Sequence, residues 1–67
     1  MNWDRIQGDW KQFAGKIKIQ WGKLTDYDLI QINGKEEELE GKIQERYGYA
    51  KEKIKKDIEA WRASLAK

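Results

Sequence analysis

An all-α fold is what this sequence predicts, and three observations predict it. The 67 residues contain no Pro, no Val and a single Thr beside abundant Lys, Glu, Gln, Ile and Ala, a composition that favours helix over sheet. Apolar residues recur at steps of three and four, the period of one helical face. Glycines and one Asn-Gly pair fall where those periodic runs stop. Hydrophobic and charged residues each make up 39% of the chain, so one small domain spanning residues 1–67 with a modest core is expected. Its eight aromatic residues, four Trp, three Tyr and one Phe, weigh against the disorder that a mean hydropathy of −1.04 would otherwise suggest.

The first helix runs from about Trp3 to Trp21, carrying Ile6, Trp10, Phe13, Ile17, Trp21 and Leu24 on its apolar stripe, with a break expected near Gly8. Gly22 is placed to end it as a C′ residue. Thr25 then caps a short second helix, roughly Asp26 to Ile32, whose Asp26 and Asp28 sit in the positive first turn. Asn33-Gly34 is a stop signal. Glu36, Glu37, Glu38 and Glu40 open the third helix and Arg46 lies near its end, both complementing the helix dipole, while Leu39, Ile43 and Tyr47 form its buried face. Gly48 closes it. In the last helix Ala50, Ile54, Ile58, Trp61 and Leu65 repeat at spacings of four, four, three and four. The expectation is four helices, or five if the first one breaks. Of the four indoles, Trp3 is expected to be the most exposed.

The chain also resembles itself. Gly8, Gly15 and Gly22 are seven apart, as are Gly34, Gly41 and Gly48, and each member of the second set follows its counterpart by 26 residues. Phe13-x-Gly15-Lys16-Ile17-x-x-x-Trp21-Gly22 aligns with Leu39-x-Gly41-Lys42-Ile43-x-x-x-Tyr47-Gly48, and further on Leu24 matches Ala50 while Ile32 matches Ile58. Two copies of one helix-turn-helix unit, about 1–33 and 34–67, are therefore expected. Gly15 lies two residues from both Phe13 and Ile17, about 200° around the helix, on the face opposite the core stripe. With Ile19 one turn later, it marks a candidate helix-contact face for the other hairpin or for a partner, self-association included.

Whole function classes are excluded by what is missing. Without Cys there is no disulfide framework or thiolate metal site, and without His there is no usual general base or imidazole ligand. Ser64 and Thr25 have nothing to activate them. The phosphate-loop pattern Gly-x-x-x-x-Gly-Lys-[Ser/Thr] does not occur, so no cofactor is expected. Consecutive glutamates on a helix point in different directions, which makes Glu36, Glu37, Glu38 and Glu40 a solvated first turn rather than an acid/base site. No stretch reaches the roughly 18 apolar residues of a membrane span and no apolar leader opens the chain, so no membrane partner and a cytoplasmic location are expected.

The segments GDWKQFAGKIKIQWGKLTD and GKIQERYGY resemble the CsbD family of small bacterial stress-response proteins, over nearly the whole chain. That resemblance implies two orthogonally packed α-hairpins in a SAM-like arrangement and a role in the general stress response. It carries over no catalytic residues.

A non-enzymatic protein acting through its surface is accordingly the expected function, with two alternatives. Lys16, Lys23, Lys42 and Arg46 are candidate phosphate contacts for weak nucleic-acid binding, with Tyr47 or Tyr49 as stacking surfaces. Against this, 14 basic and 12 acidic residues are interleaved and give a net charge of only +2. The second alternative is a hydrophilin-like protectant, suggested by high hydrophilicity and six glycines.

Overall fold

The computed structural model describes residues 3–65, in which five helices follow one another without a strand. They are α1 (Trp3–Gly8), α2 (Trp10–Gln20), α3 (Asp26–Ile32), α4 (Glu36–Tyr47) and α5 (Lys51–Leu65). The expected break falls at Asp9, which leaves helical geometry at φ −121° and ψ 45° while its carbonyl still accepts from the N–H groups of Gln12 and Phe13. This bend lets α1 turn back over the α3–α4 junction. There the Trp3 indole N–H donates to the Gly34 carbonyl at 2.8 Å, so Trp3 is half-buried rather than the exposed indole its position near the terminus suggests.

The exit from α2 differs from the expectation. Trp21 ends the helix at φ −121° and ψ 80°, with its N–H still on the Ile17 carbonyl, and Gly22 does not take a positive φ. The Trp21 side chain is buried with its ring 5.6 Å from that of Trp61, an anchor that turns the chain without a left-handed residue. The other two helix ends do use one. Asn33 at φ 45° and Gly34 at φ 83° finish α3, and Gly48 at φ 71° finishes α4, donating its N–H to the Gln44 carbonyl.

Thr25 caps α3 as expected, and with Asp28 it forms a full capping box. The Thr25 hydroxyl accepts from the Asp28 N–H at 3.1 Å, and the Asp28 carboxylate accepts from the Thr25 N–H at 3.0 Å. Lys35 opens α4 with no side-chain cap, leaving the three glutamates of the first turn to meet its dipole.

One core joins all five helices. It takes Ile6 from α1, Phe13 and Ile17 from α2, Leu29 and Ile32 from α3, Leu39 and Ile43 from α4 and Ile54, Ile58 and Trp61 from α5, with Trp21 and Leu24 from the turn. Of the residues 26 apart, Phe13 and Leu39, Ile17 and Ile43, and Ile32 and Ile58 are buried alike, whereas Trp21 and Leu24 are buried and their counterparts Tyr47 and Ala50 are not. Four positions of the expected stripes are not buried: Trp10, Tyr47 and Leu65 are half-buried, and Ala50 is exposed and precedes α5, giving only its carbonyl to the Ile54 N–H. α3 packs on α4 and α4 on α5, while α2 reaches α3 through the Trp10 indole N–H on the Leu29 carbonyl and the Lys18–Asp26 ion pair. Among the described residues, no helix is long and apolar enough to cross a membrane.

Candidate functional site

The left-handed turn at Gly48 creates the most distinctive surface of the molecule. Two residues apart on a continuing helix, Tyr47 and Tyr49 would point about 200° away from each other. Gly48 at φ 71° folds the chain back, and the rings stack with centroids 5.2 Å apart and 24° between planes. A cation caps each end of the stack. Lys23 Nζ lies 5.1 Å from the Tyr47 ring centre, and Lys53 Nζ lies 4.6 Å from that of Tyr49. The Lys23 backbone N–H also donates to the Tyr47 hydroxyl at 3.2 Å, tying the α2–α3 turn to the end of α4.

Beside this stack opens a cleft of about 460 Å³, lined by Gln20, Trp21, Tyr47, Tyr49, Lys53, Asp57, Ala60, Trp61 and Ser64. Lys53 reaches into it and pairs with Asp57 at 2.9 Å. The Asp57 carboxylate, through its hydrogen bond and its charge, holds the proton on Lys53 against the opposing effect of burial, and the Tyr49 phenol adds a smaller contribution, which together raise its pKa.

Of the four cations expected to meet phosphate, two come together, at Asp28, and two stand elsewhere. Arg46 and Lys42 lie one turn apart on α4, facing Asp28, and Lys23 is across the turn against Tyr47. Lys16 stands apart on α2, 5.4 Å from the Phe13 ring. The arrangement nonetheless differs from a free basic patch. Arg46 places Nε 2.9 Å and Nη2 3.0 Å from the two oxygens of Asp28, and Lys42 sits 3.8 Å from Asp28 and 3.5 Å from Glu45. Asp28 is fully buried, and its carboxyl is held well below the usual carboxylate range, first by the Arg46 hydrogen bonds and then by the Thr25 N–H, with burial opposing. Two of the expected phosphate ligands are thus already engaged by a carboxylate of their own chain.

The Gly15 and Ile19 face points to solvent. A Cβ on Gly15 would meet nothing within 4 Å, and Ile19 is 86% exposed, so no described element of this chain comes against it. Close approach of backbones occurs instead at Gly34, where a Cβ would stand 3.0 Å from Gln7 Cγ and 3.2 Å from Gln7 Cα.

Sequence reasoning missed Asp28 as the buried anchor of Arg46 and missed Lys53 and Asp57 altogether. The Thr25-x-x-Asp28 spacing was a visible signal for the capping box, and Lys53-x-x-x-Asp57 for an i,i+4 pair. Neither spacing reveals the long-range partner. Among the described residues no group of three or more carboxylates is placed to hold a metal ion.

Comparison with known proteins supplies the lineage. The CsbD-like family model matches residues 4–56. The UPF0337 protein YjbJ of Escherichia coli K12 is 57% identical over 61 residues, covering 91% of this chain and 88% of its own. The UPF0337 protein ECA0631 of Pectobacterium atrosepticum is 59% identical over the same shares of both chains. The UPF0337 protein RPA4217 of Rhodopseudomonas palustris is 55% identical over 65 residues, covering 97% of this chain and 98% of its own. With a matching family model over most of its length and relatives this similar from end to end, the chain belongs to the CsbD-like family.

Proposed function

We propose that this protein is a non-enzymatic, cytoplasmic stress-response protein that acts through a folded surface, and that the corner formed by Lys23, Tyr47, Tyr49 and Lys53 is that surface. The observation that carries the reading is the tyrosine stack, held half-exposed by a left-handed glycine and capped at both ends by lysines. A pair of aromatic rings kept partly in water, when the other large apolar side chains of α4, Leu39 and Ile43, are buried, is surface with a use beyond stability. The stress assignment comes from family membership. The buried core of twelve side chains supports action in the folded state over a hydrophilin mechanism that depends on disorder.

Nucleic-acid binding is the second reading, favoured by Lys42 and Arg46 one turn apart on α4 and by Lys23 against the Tyr47 ring. It is weakened by Asp28 and Glu45, which already engage Arg46 and Lys42. The test is survival of a bacterial host that lacks its own copy, after osmotic or starvation stress, rescued by the wild-type protein or by a Tyr47→Ala, Tyr49→Ala variant of verified fold. Failure of the variant to rescue supports the corner; full rescue overturns it. Binding of single-stranded DNA that weakens steeply from about 50 to 200 mM salt would promote the second reading.

A further inference from the structure

The cleft beside Tyr49 has the chemistry of a cation receptor, an inference that rests on reading this corner as the working surface. We propose that it binds a small organic cation carrying a quaternary ammonium group, held between the Tyr49 ring and the Asp57 carboxylate after Lys53 swings aside. Four of the chain's eight aromatic residues, Trp21, Tyr47, Tyr49 and Trp61, line this one cleft, with a single carboxylate at its side. Aromatic rings around a carboxylate are the standard recognition of quaternary ammonium groups, which are poorly hydrated, have no N–H to satisfy and are attracted to ring faces. The volume of about 460 Å³ falls in the range of small-ligand pockets.

The chain itself shows where the charge goes. Lys53 Nζ lies 4.6 Å from the Tyr49 ring centre and 2.9 Å from Asp57, so a cation is already favoured at that point. Cation–aromatic pairs of consequence occur about once per 70–80 residues. Here two of them bracket one tyrosine pair. The present occupant is easily displaced, because Lys53 is 54% exposed, is tethered by a flexible stem, and makes an i,i+4 pair of the kind that contributes little at a surface. With Lys53 in place the cleft is close to neutral; with its ammonium gone, Asp57 leaves it negative. An anion would meet the reverse preference.

The experiment titrates choline, and separately its uncharged isostere 3,3-dimethylbutan-1-ol, into the wild-type protein and into Lys53→Gln, following the indole N–H resonances of Trp21 and Trp61 and the backbone amides of residues 47–57 by NMR. Saturable shifts with choline are expected in both proteins, about tenfold tighter in Lys53→Gln, with none from the isostere. Adding Asp57→Asn to Lys53→Gln should weaken binding about tenfold, as should Tyr49→Leu. Near-UV circular dichroism of each variant separates lost binding from lost fold. Shifts that stay linear to about 100 mM choline in a folded Lys53→Gln overturn the proposal, and equal response to the isostere overturns it by showing an apolar crevice only. If choline fails while the Tyr47→Ala, Tyr49→Ala variant still loses rescue in the host, the cation site falls and the surface reading stands.

Discussion

Arg46 closes on Asp28 from 18 residues away, its Nε and Nη2 each bonded to a different carboxylate oxygen. Asp28 is fully buried, whereas the Arg46 side chain is 39% exposed, so the two ends of the pair do not carry equal risk. Losing the carboxylate returns an arginine to water. Losing the arginine strands a buried anion with only the Thr25 N–H and the more distant Lys42 to support it.

Acid unfolding follows from the sign of that perturbation. The folded carboxyl of Asp28 titrates far below its unfolded value, so the stability it contributes is fully present above about pH 4 and drains away as pH falls below that. Arg46→Met should raise the pH at which helix is lost in an acid titration followed by far-UV circular dichroism, and lower the neutral-pH melting point. Asp28→Asn should flatten the acid limb, because the titrating group is gone. An acid limb unchanged in both variants would remove Asp28 from the account of acid stability.

The indoles are unequal, and the sequence alone did not separate Trp61 from Trp10. Trp61 is buried and meets both Trp21 at 5.6 Å and Trp3 at 6.5 Å, edge to face. Truncating it should cost about 3–5 kcal/mol, comparable to the whole stability of so small a domain, and abolish the cooperative melt. Trp10 is half-buried, and the Leu29 carbonyl it bonds also accepts the Asn33 N–H, so Trp10→Ala strands nothing. Its melt should stay cooperative at a lower midpoint. Loss of the transition in Trp10→Ala and its survival in Trp61→Ala would reverse this ranking.

Helical period, caps and stop signals placed every helix and most of the core, because these are properties of residues within a turn of one another. What was illegible depends on distance in sequence. Asp28 looked like an ordinary first-turn acid, since nothing local distinguishes a carboxylate facing solvent from one facing an arginine on the next helix. Gly22 and Gly48 occupy matching positions in the 26-residue register, yet Gly48 alone is left-handed. The difference lies in their neighbours: the Trp21 ring is anchored against Trp61 in the core, while Tyr47 stays half-exposed and stacks on Tyr49. Neither choice is written in the glycines themselves.

The cap of α3 offers a local test. Thr25 is exposed, so removing its hydroxyl opens no cavity, and Thr25→Ala should cost about 1 kcal/mol through the lost bond to the Asp28 N–H. Thr25→Ser keeps that bond and should restore most of the loss. Equal urea midpoints for the wild-type protein and Thr25→Ala would show that Arg46 alone positions Asp28.

Glycines that look alike in the repeat should respond in opposite directions. Gly15 and Gly41 lie inside α2 and α4 with nothing within 4 Å of an added Cβ, and neither has a positive φ. Alanine there raises helix propensity and narrows the unfolded ensemble, so Gly15→Ala and Gly41→Ala should each stabilise by about 0.4–1 kcal/mol. Gly34 is the reverse case. Its φ of +83° disfavours any side chain, and its Cβ would sit 3.2 Å from the Gln7 backbone, at the point where the Trp3 indole bonds its carbonyl. Gly34→Ala should therefore push α1 away from the α3–α4 junction and destabilise by about 1–3 kcal/mol. Chemical denaturation of the three variants decides it. If Gly34→Ala melts like the wild-type protein, α1 is not docked on that junction in solution; if Gly15→Ala or Gly41→Ala is destabilised, the corresponding outer face is covered by something other than water.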